Sequence, residues 1–418
     1  MKKVIVIGGG AAGLMAACSA AQYGANVIIL EKMPSPGRKL LITGKGRCNI
    51  TNSCDLKTFI ANIPGNGKFL HSVFHTFFNQ DLIDFLTSWG LATKIERGGR
   101  IFPVSDKAAD VVETFIKALK ALHVELLVKH GVKEIVAEQG QVKGIRTQTN
   151  VFMEADAVIL AAGGASYPNT GSAGDGYRIA EKLGHTVIPI EPSLVPLEVA
   201  EEWIAELQGL SLRNVAAALQ CGDRNVAGEF GEMLFTHYGL SGPIILSLSK
   251  KVSEQKADAA LFIEINLKPA LSPELLDKRI QRDFEKFARK QIKNALHELL
   301  PAKMIPVMIN LAHINPDKPV HQITKEERNR LVFQLQHLSF TITGTRPVAE
   351  AIVTAGGIST KEINPATMES RQIRGLYFAG EIIDVDGFTG GFNLQAAFST
   401  GYVAGMNAAA ESYNREKR

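Results

Sequence analysis

Gly8, Gly10 and Gly13 stand in the run Gly8-Gly9-Gly10-Ala11-Ala12-Gly13, a G-x-G-x-x-G spacing that can do one kind of chemistry: cradle a phosphate. Glycine permits the tight turn, the close approach of backbone to pyrophosphate, and tight packing of helix on strand. A helix starting at such a turn adds unpaired N–H groups and a positive dipole end. Glu31 follows 18 residues after Gly13. A carboxylate there can accept both hydroxyls of an adenosine ribose and would repel a 2′-phosphate, which favours FAD or NAD over NADP.

Two further stretches separate those two cofactors. Gly37-Arg38-Lys39 and Gly44-Lys45-Gly46-Arg47-Cys48-Asn49-Ile50-Thr51-Asn52 come soon after Glu31. A domain binding NAD alone has no reason to place a Gly/Arg/Asn segment there. A flavin does, since Arg and Lys can meet phosphate while Asn and Thr can meet ring carbonyls and nitrogens. Near the other end stand Gly375-Leu376-Tyr377-Phe378-Ala379-Gly380-Glu381, Asp384, Gly390-Gly391 and Phe392-Asn393-Leu394-Gln395. A helix starting near Asn393 can stabilise negative charge on the N1–C2 carbonyl region of a reduced flavin. Asp384 can orient the ribityl or pyrophosphate end. FAD is therefore the expected cofactor. No second G-x-G-x-x-G follows a strand in mid-chain, so NAD(P)H is expected only as a transient electron donor, alongside other reductants.

The elements that must position these residues are legible. Val4 to Ile7 is a β-branched run of the kind found in buried parallel strands, Ala11 to Tyr23 reads as a helix closed by Gly24, and Val27 to Leu30 reads as the next strand. A helix is expected over 105–123, with Ser105 or Asp106 as N-cap. Strands are expected at Glu125–Val128, Val132–Ala137, Val142–Thr147 and Ala157–Leu160, with Gly140 in a turn. Residues 272–300 read as one long amphipathic helix, capped by Ser272 with Pro273 at its first position and striped by Leu276, Ile280, Phe284, Phe287 and Ile292. Thr324 and Glu327 fit a capping box. The expected fold is α/β: a discontinuous Rossmann-type FAD-binding domain from 1–190 and 345–418, an inserted β-rich domain from 191–270 and 335–344, and a helical insertion at 271–334.

Composition narrows the class. The 418 residues are 45% hydrophobic, and 46 basic against 42 acidic residues leave a net charge of +4, too mild to imply nucleic-acid or membrane binding. Cys18, Cys48, Cys54 and Cys221 form neither a CxxC nor a disulfide framework, which suits a reduced cytoplasmic compartment. Lys2-Lys3 and the apolar run to Ala21 resemble a signal peptide, but the three consecutive glycines break that run and suit a strand–turn–helix instead.

Gly44 to Asn52, Gly163-Gly164-Ala165-Ser166-Tyr167-Pro168, Thr170 to Gly176, Thr236 to Pro243 and Gly380 to Gln395 together resemble the BaiN/YhiN (RdsA-like) family of bacterial flavoproteins, often labelled NAD(P)/FAD-dependent or aminoacetone-oxidase-like oxidoreductases. Thr43-Gly44-Lys45-Gly46-Arg47 stands where the family often reads Ser-Gly-Gly-Gly-Arg. The resemblance implies a cofactor site built from Gly8, Gly10, Ala12, Gly13, Glu31, Lys32, Gly37, Lys39, Gly44, Arg47, Cys48, Asn49, Val132, Ala162, Gly163, Gly380, Glu381, Asp384, Gly391, Phe392, Asn393, Leu394 and Gln395. It implies a glutathione-reductase-like FAD domain with a β-rich second domain and a small helical third domain, and a flavin oxidoreductase acting on a small molecule or, alternatively, on uridine in ribosomal RNA. For the RNA alternative, residues 272–293 carry seven basic against four acidic residues, a modest basic face.

Four residues invite a role in the reaction. Cys48 reads as a redox thiol or a small packing residue. Tyr167 reads as a proton donor or a packing aromatic. His237, beside Tyr238 on a Gly-flanked segment the family places near the flavin, reads as a general acid or a merely hydrogen-bonded histidine.

Overall fold

The computed structural model describes residues 1–222, 224–255 and 260–410. They fall into two compact units, Met1–Ser193 with Val348–Arg418 and, separately, Leu194–Pro347.

In the first unit the β-branched run becomes strand β1 (Lys3–Ile7), helix α1 (Ala11–Gln22) follows the glycine turn, and strand β2 (Asn26–Glu31) ends on the expected carboxylate. Gly24, with φ 86°, closes α1. The parallel sheet runs Leu376–Phe378, Ala157–Leu160, β1, β2, Glu125–Val128. The chain leaves β1 toward one side and returns on the other. That order opens a crevice at the carboxyl ends of its central strands, where α/β sheets bind ligands. Helix α1 and the C-terminal helix Phe392–Ala409 pack backbone to backbone. A Cβ added at Gly401 would lie 3.2 Å from Ala12 Cα, and one at Gly405 would lie 2.9 Å from Ala20 N. The helix expected over 105–123 covers Ala108–Ala121 with Lys107 as N-cap. Asp106 cannot cap it because its own backbone is left-handed (φ 57°) and its carboxylate is held by Lys94 and Arg47.

The second unit is a closed six-stranded antiparallel barrel, whose strands include Ser211–Cys221, Leu261–Asn266 and Leu338–Thr345. Its helices share the barrel's core: Leu276, Ile280 and Phe284 belong to one buried cluster with Ile263 and Phe340. The helical segment therefore forms no separate unit. Ser272 caps its first helix and Thr324–Glu327 close a reciprocal capping box, as the spacing predicts. The expected helix over 272–300 instead ends at Lys286. Its stripe breaks there, because the step from Phe287 to Ile292 is five residues and leaves the 3.6-residue period. Ile292 N–H bonds Lys318 O instead (3.0 Å).

One buried histidine sets a pH limit on the first unit. Ser370 Oγ accepts N–H from Gln372 and Ile373 (3.0 Å each), which leaves its hydrogen for His185 Nε2 at 2.8 Å. Burial pushes the imidazole below its usual 6.5, with Glu362 and the Ala180 backbone only partly offsetting it. The unfolded chain protonates near 6.5 while the folded one resists, so stability is full above that pH and lost as pH falls below it. His185→Gln should lose about 1 kcal/mol less than wild type between pH 7.5 and 5.5, read as urea midpoints; equal losses would rule the histidine out as their source.

Candidate functional site

Three neighbouring parallel strands end together. Gly8 follows β1, Ala161 to Gly164 follow Ala157–Leu160, and Ala379-Gly380 follow Leu376–Phe378. Ala161 N–H bonds Ile7 O (2.9 Å) and Ala379 N–H bonds Leu160 O (3.2 Å), which ties the three ends into one rim. Gly8 needs its glycine: φ is 106°, and a Cβ would lie 2.9 Å from Ala161 C. Gly380 (φ 79°) faces Ala12, where a Cβ would come within 2.7 Å of the alanine methyl. Gly10 differs, since a Cβ there would have nothing within 4 Å. As N-cap of α1 it has no side-chain cap, and the first turn carries no acidic residue. The positive end of the helix dipole thus faces open space beside a backbone that leaves room for a large anion.

Glu31 is buried, its Oε2 accepting Gly9 N–H (2.7 Å) and its Oε1 accepting Met33 N–H (2.7 Å). Lys32 pairs with Asp175. Gly37 (φ 69°) donates its N–H to Gly9 O (2.8 Å), which starts helix α2 (Arg38–Ile42) against the glycine turn. From α2, Lys39 Nζ reaches Glu381 Oε2 (2.6 Å) and Ser166 Oγ (2.5 Å). Burial pushes the Glu381 carboxyl up. The Lys39 ammonium, the Thr354 N–H and the Ser166 hydroxyl outweigh it and leave the carboxyl below the ordinary carboxylate range.

The segment after α2 is conformationally unusual. Gly44, Lys45 and Gly46 are left-handed in succession, and Cys48 is too (φ 60°). Cys48 is fully buried, and burial pushes its thiol up to about 11 against a smaller opposing hydrogen bond with Thr43, so it is the packing residue rather than a reactive thiolate. Arg47, expected to meet phosphate, is claimed by Glu96 and Asp106 and stacks 4.2 Å over the Phe102 ring. Asn49, expected to meet the flavin ring, is likewise taken up by backbone: in the amide orientation that satisfies its neighbours it donates to Thr51 O and Ile101 O and accepts from Gly391 N (3.1 Å).

Gly391 (φ 98°) packs on Thr51, where a Cβ would lie 2.7 Å from Thr51 Cα. It is the uncapped N-cap of the C-terminal helix, whose first turn also lacks acidic residues. Phe392 is buried edge-on against Phe59 (4.7 Å). Asn393 staples the preceding turn, accepting from Gly387 N (2.7 Å) and donating to Gly387 O (2.8 Å). Leu394 is half-buried. Asp384 accepts from Asn66 Nδ2 at 2.8 Å. Gln395 is buried and donates to Ser399 Oγ (2.9 Å); its Oε1 and the Thr51 Oγ1 are buried with no partner among the described residues.

Gly163 is left-handed (φ 74°) and Ala162 precedes it on the rim, whereas Val132 opens a separate three-stranded sheet, paired with Thr147. Tyr167 is half-buried just beyond the rim; burial, with the nearby Glu350 carboxylate, raises its phenol above the usual range and keeps its proton on. His237 lies in the second unit, exposed in the turn between Arg224–Phe235 and Gly239–Ser241, its ring edge-on to Tyr238 at 4.9 Å. Sequence reasoning assigned no role to Ser166 and Thr354, which complete the Lys39–Glu381 cluster. Ser166 lay inside a motif already singled out, and Thr354 stands just before the Gly356-Gly357 pair.

A family model described as HI0933-like protein Rossmann domain matches residues 2–407. A 3-dehydro-bile acid delta(4,6)-reductase of Clostridium scindens is 35% identical over 415 residues, 98% of this chain and 99% of the relative. A ribosomal RNA dihydrouridine synthase of Haemophilus influenzae is 32% identical over 408 residues, 96% of this chain and 97% of the relative. Among solved structures, the 3-ketosteroid-delta4-(5alpha)-dehydrogenase of Rhodococcus jostii RHA1 shares the fold, with a TM-score of 0.51 at 15% identity over 98% of this chain and 97% of that one. Among the described residues no helix is long and apolar enough to cross a membrane.

Proposed function

The chain belongs to the HI0933-like Rossmann family, and from that membership we propose that it is an FAD-dependent oxidoreductase whose acceptor is a carbon–carbon double bond conjugated to a carbonyl. The observation that carries the reading is the rim: three parallel strands deliver an open glycine turn, an uncapped helix N-terminus and Gly380 to one crevice. The residues fit the cofactor. Gly10 leaves room where a phosphate needs it, and the unpartnered Thr51 Oγ1 and Gln395 Oε1 leave buried polar capacity near the second uncapped helix.

In this reading Gly8, Gly10, Ala12 and Gly13 hold the pyrophosphate with α1 behind them, and Glu31, oriented by Gly9 and Met33, takes the ribose hydroxyls. The first turn of the C-terminal helix offers its backbone N–H groups to the ring's carbonyl side, and Gly391, its own N–H held by Asn49, starts that helix. Arg47, Asn49 and Asn393 support that arrangement through the turns they hold together. Bound FAD, once reduced, supplies the hydride. Tyr167 supplies the proton to the carbon next to the carbonyl and recovers it from solvent. The two relatives favour this acceptor class, because a 3-oxo-4,6-diene and the uracil 5,6 double bond are both conjugated to a carbonyl. His237 is a general-acid candidate only from its sequence context.

The test is anaerobic. Purified protein should be yellow or reconstitute with FAD, NADH or NADPH should bleach the flavin, and 2-cyclohexen-1-one or a 3-oxo-4-ene steroid should restore the colour. A colourless protein that cannot be reconstituted sinks the reading. A ribosomal RNA substrate is the second reading, favoured by the exposed Lys278, Arg282, Arg289 and Lys290 of the second unit. It requires RNA binding that weakens steeply with salt. Reversing these four charges should abolish that binding while leaving reduction of the small enone intact.

A further inference from the structure

We infer that Lys39, Ser166, Thr354 and Glu381 form a clamp that fixes Tyr167 in the conformation from which it delivers its proton, which makes Lys39 and Thr354 positioning residues. The inference rests on the function proposed above and adds residues to it.

The clamp joins four segments remote in sequence. Lys39 comes from α2, Ser166 from the turn after Ala157–Leu160, Thr354 from the strand Val353–Ile358 and Glu381 from the turn after Leu376–Phe378. Glu381 Oε2 receives the Lys39 ammonium, while Oε1 receives Thr354 N–H (2.9 Å) and the Ser166 hydroxyl (3.2 Å). Thr354 Oγ1 in turn accepts the backbone N–H groups of Ala165 (2.9 Å) and Ser166 (3.2 Å). The turn lies hard against the pair: a Cβ at Gly164 would be 2.8 Å from Thr354 Cβ and 3.0 Å from Glu381 Cδ.

Tyr167 comes next in the chain, and its backbone is left-handed at φ 52°. For a bulky side chain that backbone is strained and persists only where the surroundings over-determine it. Here they do. Tyr167 N–H donates to Ala349 O (3.1 Å), and Tyr167 O accepts both Thr170 N–H (2.8 Å) and Thr170 Oγ1 (2.7 Å). With Ser166 and Ala165 pinned one and two residues earlier, the backbone is held on both sides of the strained residue. Strain of this kind gathers where one side chain must be aimed. The residue held here carries a half-buried phenol and directly follows Ser166 of the clamp. Hydride goes to the far carbon of the double bond, the Tyr167 proton to the near one, and the reduced flavin is oxidised. A phenol displaced by an ångström would cost that second transfer without touching the first half of the cycle.

The test compares holoenzymes of wild type, Thr354→Val, Tyr167→Phe and the double variant. Flavin is photoreduced without oxygen and then mixed with 2-cyclohexen-1-one, and hydrogen–deuterium exchange is followed in peptides spanning 165–171. Thr354→Val should keep its flavin, exchange faster across 165–171 and reoxidise about tenfold more slowly. Tyr167→Phe should reoxidise about a hundredfold more slowly, and the double variant no more slowly than that. Should Thr354→Val misfold, Lys39→Met and its rescue by Lys39→Arg serve the same comparison. The clamp is refuted if exchange across 165–171 is unchanged, if flavin is lost, or if the slowing persists in full beside Phe at 167. A wild-type protein whose reduced flavin ignores the enone would count against the proposed acceptor, while the exchange data would still judge the clamp.

Discussion

Gly10→Ala is expected to leave the apoprotein as stable as wild type and to weaken FAD binding by roughly 5- to 150-fold, and Gly13→Ala is expected to fail at folding itself. Both residues belong to one motif, and the space around each tells them apart. At Gly10 the backbone is ordinary (φ −84°, ψ −172°) and a methyl would meet nothing within 4 Å. The only body it can strike is the phosphate proposed to lie there. A methyl forced into a filled contact costs roughly 1–3 kcal/mol, which is that range of Kd. At Gly13 the methyl would fall inside the van der Waals envelope of Gly8 O, 3.0 Å from Gly8 C and 3.4 Å from Val6 Cγ1. Backbone cannot swing aside as a flexible side chain does. Helix α1 cannot retreat either, because Gly401 and Gly405 of the C-terminal helix press on its other face. The loss should reach about 3 kcal/mol or more. Denaturant unfolding of both apoproteins and FAD titration of the Gly10 variant measure the two effects. If Gly10→Ala binds FAD like wild type, the pyrophosphate does not lie on this turn.

What the sequence made legible was local. The strand–turn–helix–strand at 3–31, the Thr324–Glu327 capping box and the strand at Ala157–Leu160 are each written within a few residues by β-branching, cap chemistry and glycine placement. The apolar stripe suggests one helix over 272–300, but it crosses one irregular step, where Ile292 turns to bond the chain near Lys318 instead of the preceding turn. Residue type alone points Arg47 and Asn49 at a ligand. Apart from Thr51, their hydrogen-bond partners Glu96, Asp106, Ile101 and Gly391 lie 49 or more residues away. The same distance hid Thr354, whose hydroxyl meets Ala165 from 189 positions along the chain. A carboxylate, a guanidinium or an amide advertises its chemistry in the sequence but not its partner, and the partner decides whether it faces a ligand or a loop.

Glu381→Ala should be the most damaging single change among the charged residues of the rim. Removing the carboxylate strands the Lys39 ammonium on Ser166 alone in a pocket where both side chains of the pair are only about a fifth exposed (23% and 20%), and it leaves Thr354 N–H without its acceptor. Breaking a buried pair from one side costs roughly 3 kcal/mol, of which the partial exposure of this pair removes some. Glu381→Gln, which keeps an acceptor for Thr354 N–H and Ser166, should lose less. The double change Lys39→Met with Glu381→Leu should recover part of the loss, since neither charge then stays buried alone. The pH dependence follows the same carboxylate. Its folded pKa lies below the ordinary 4.5, so its contribution is complete above 4.5 and drains away as pH falls through the folded value. Wild type should therefore lose stability on acidification below 4.5, and Glu381→Ala should lack that portion of the slope. Urea midpoints for the four proteins at pH 7 and at pH 4 decide it. A Glu381→Ala protein as stable as wild type at pH 7 would show that the pair holds nothing together, and the placement of the Gly164–Tyr167 turn would then need another cause.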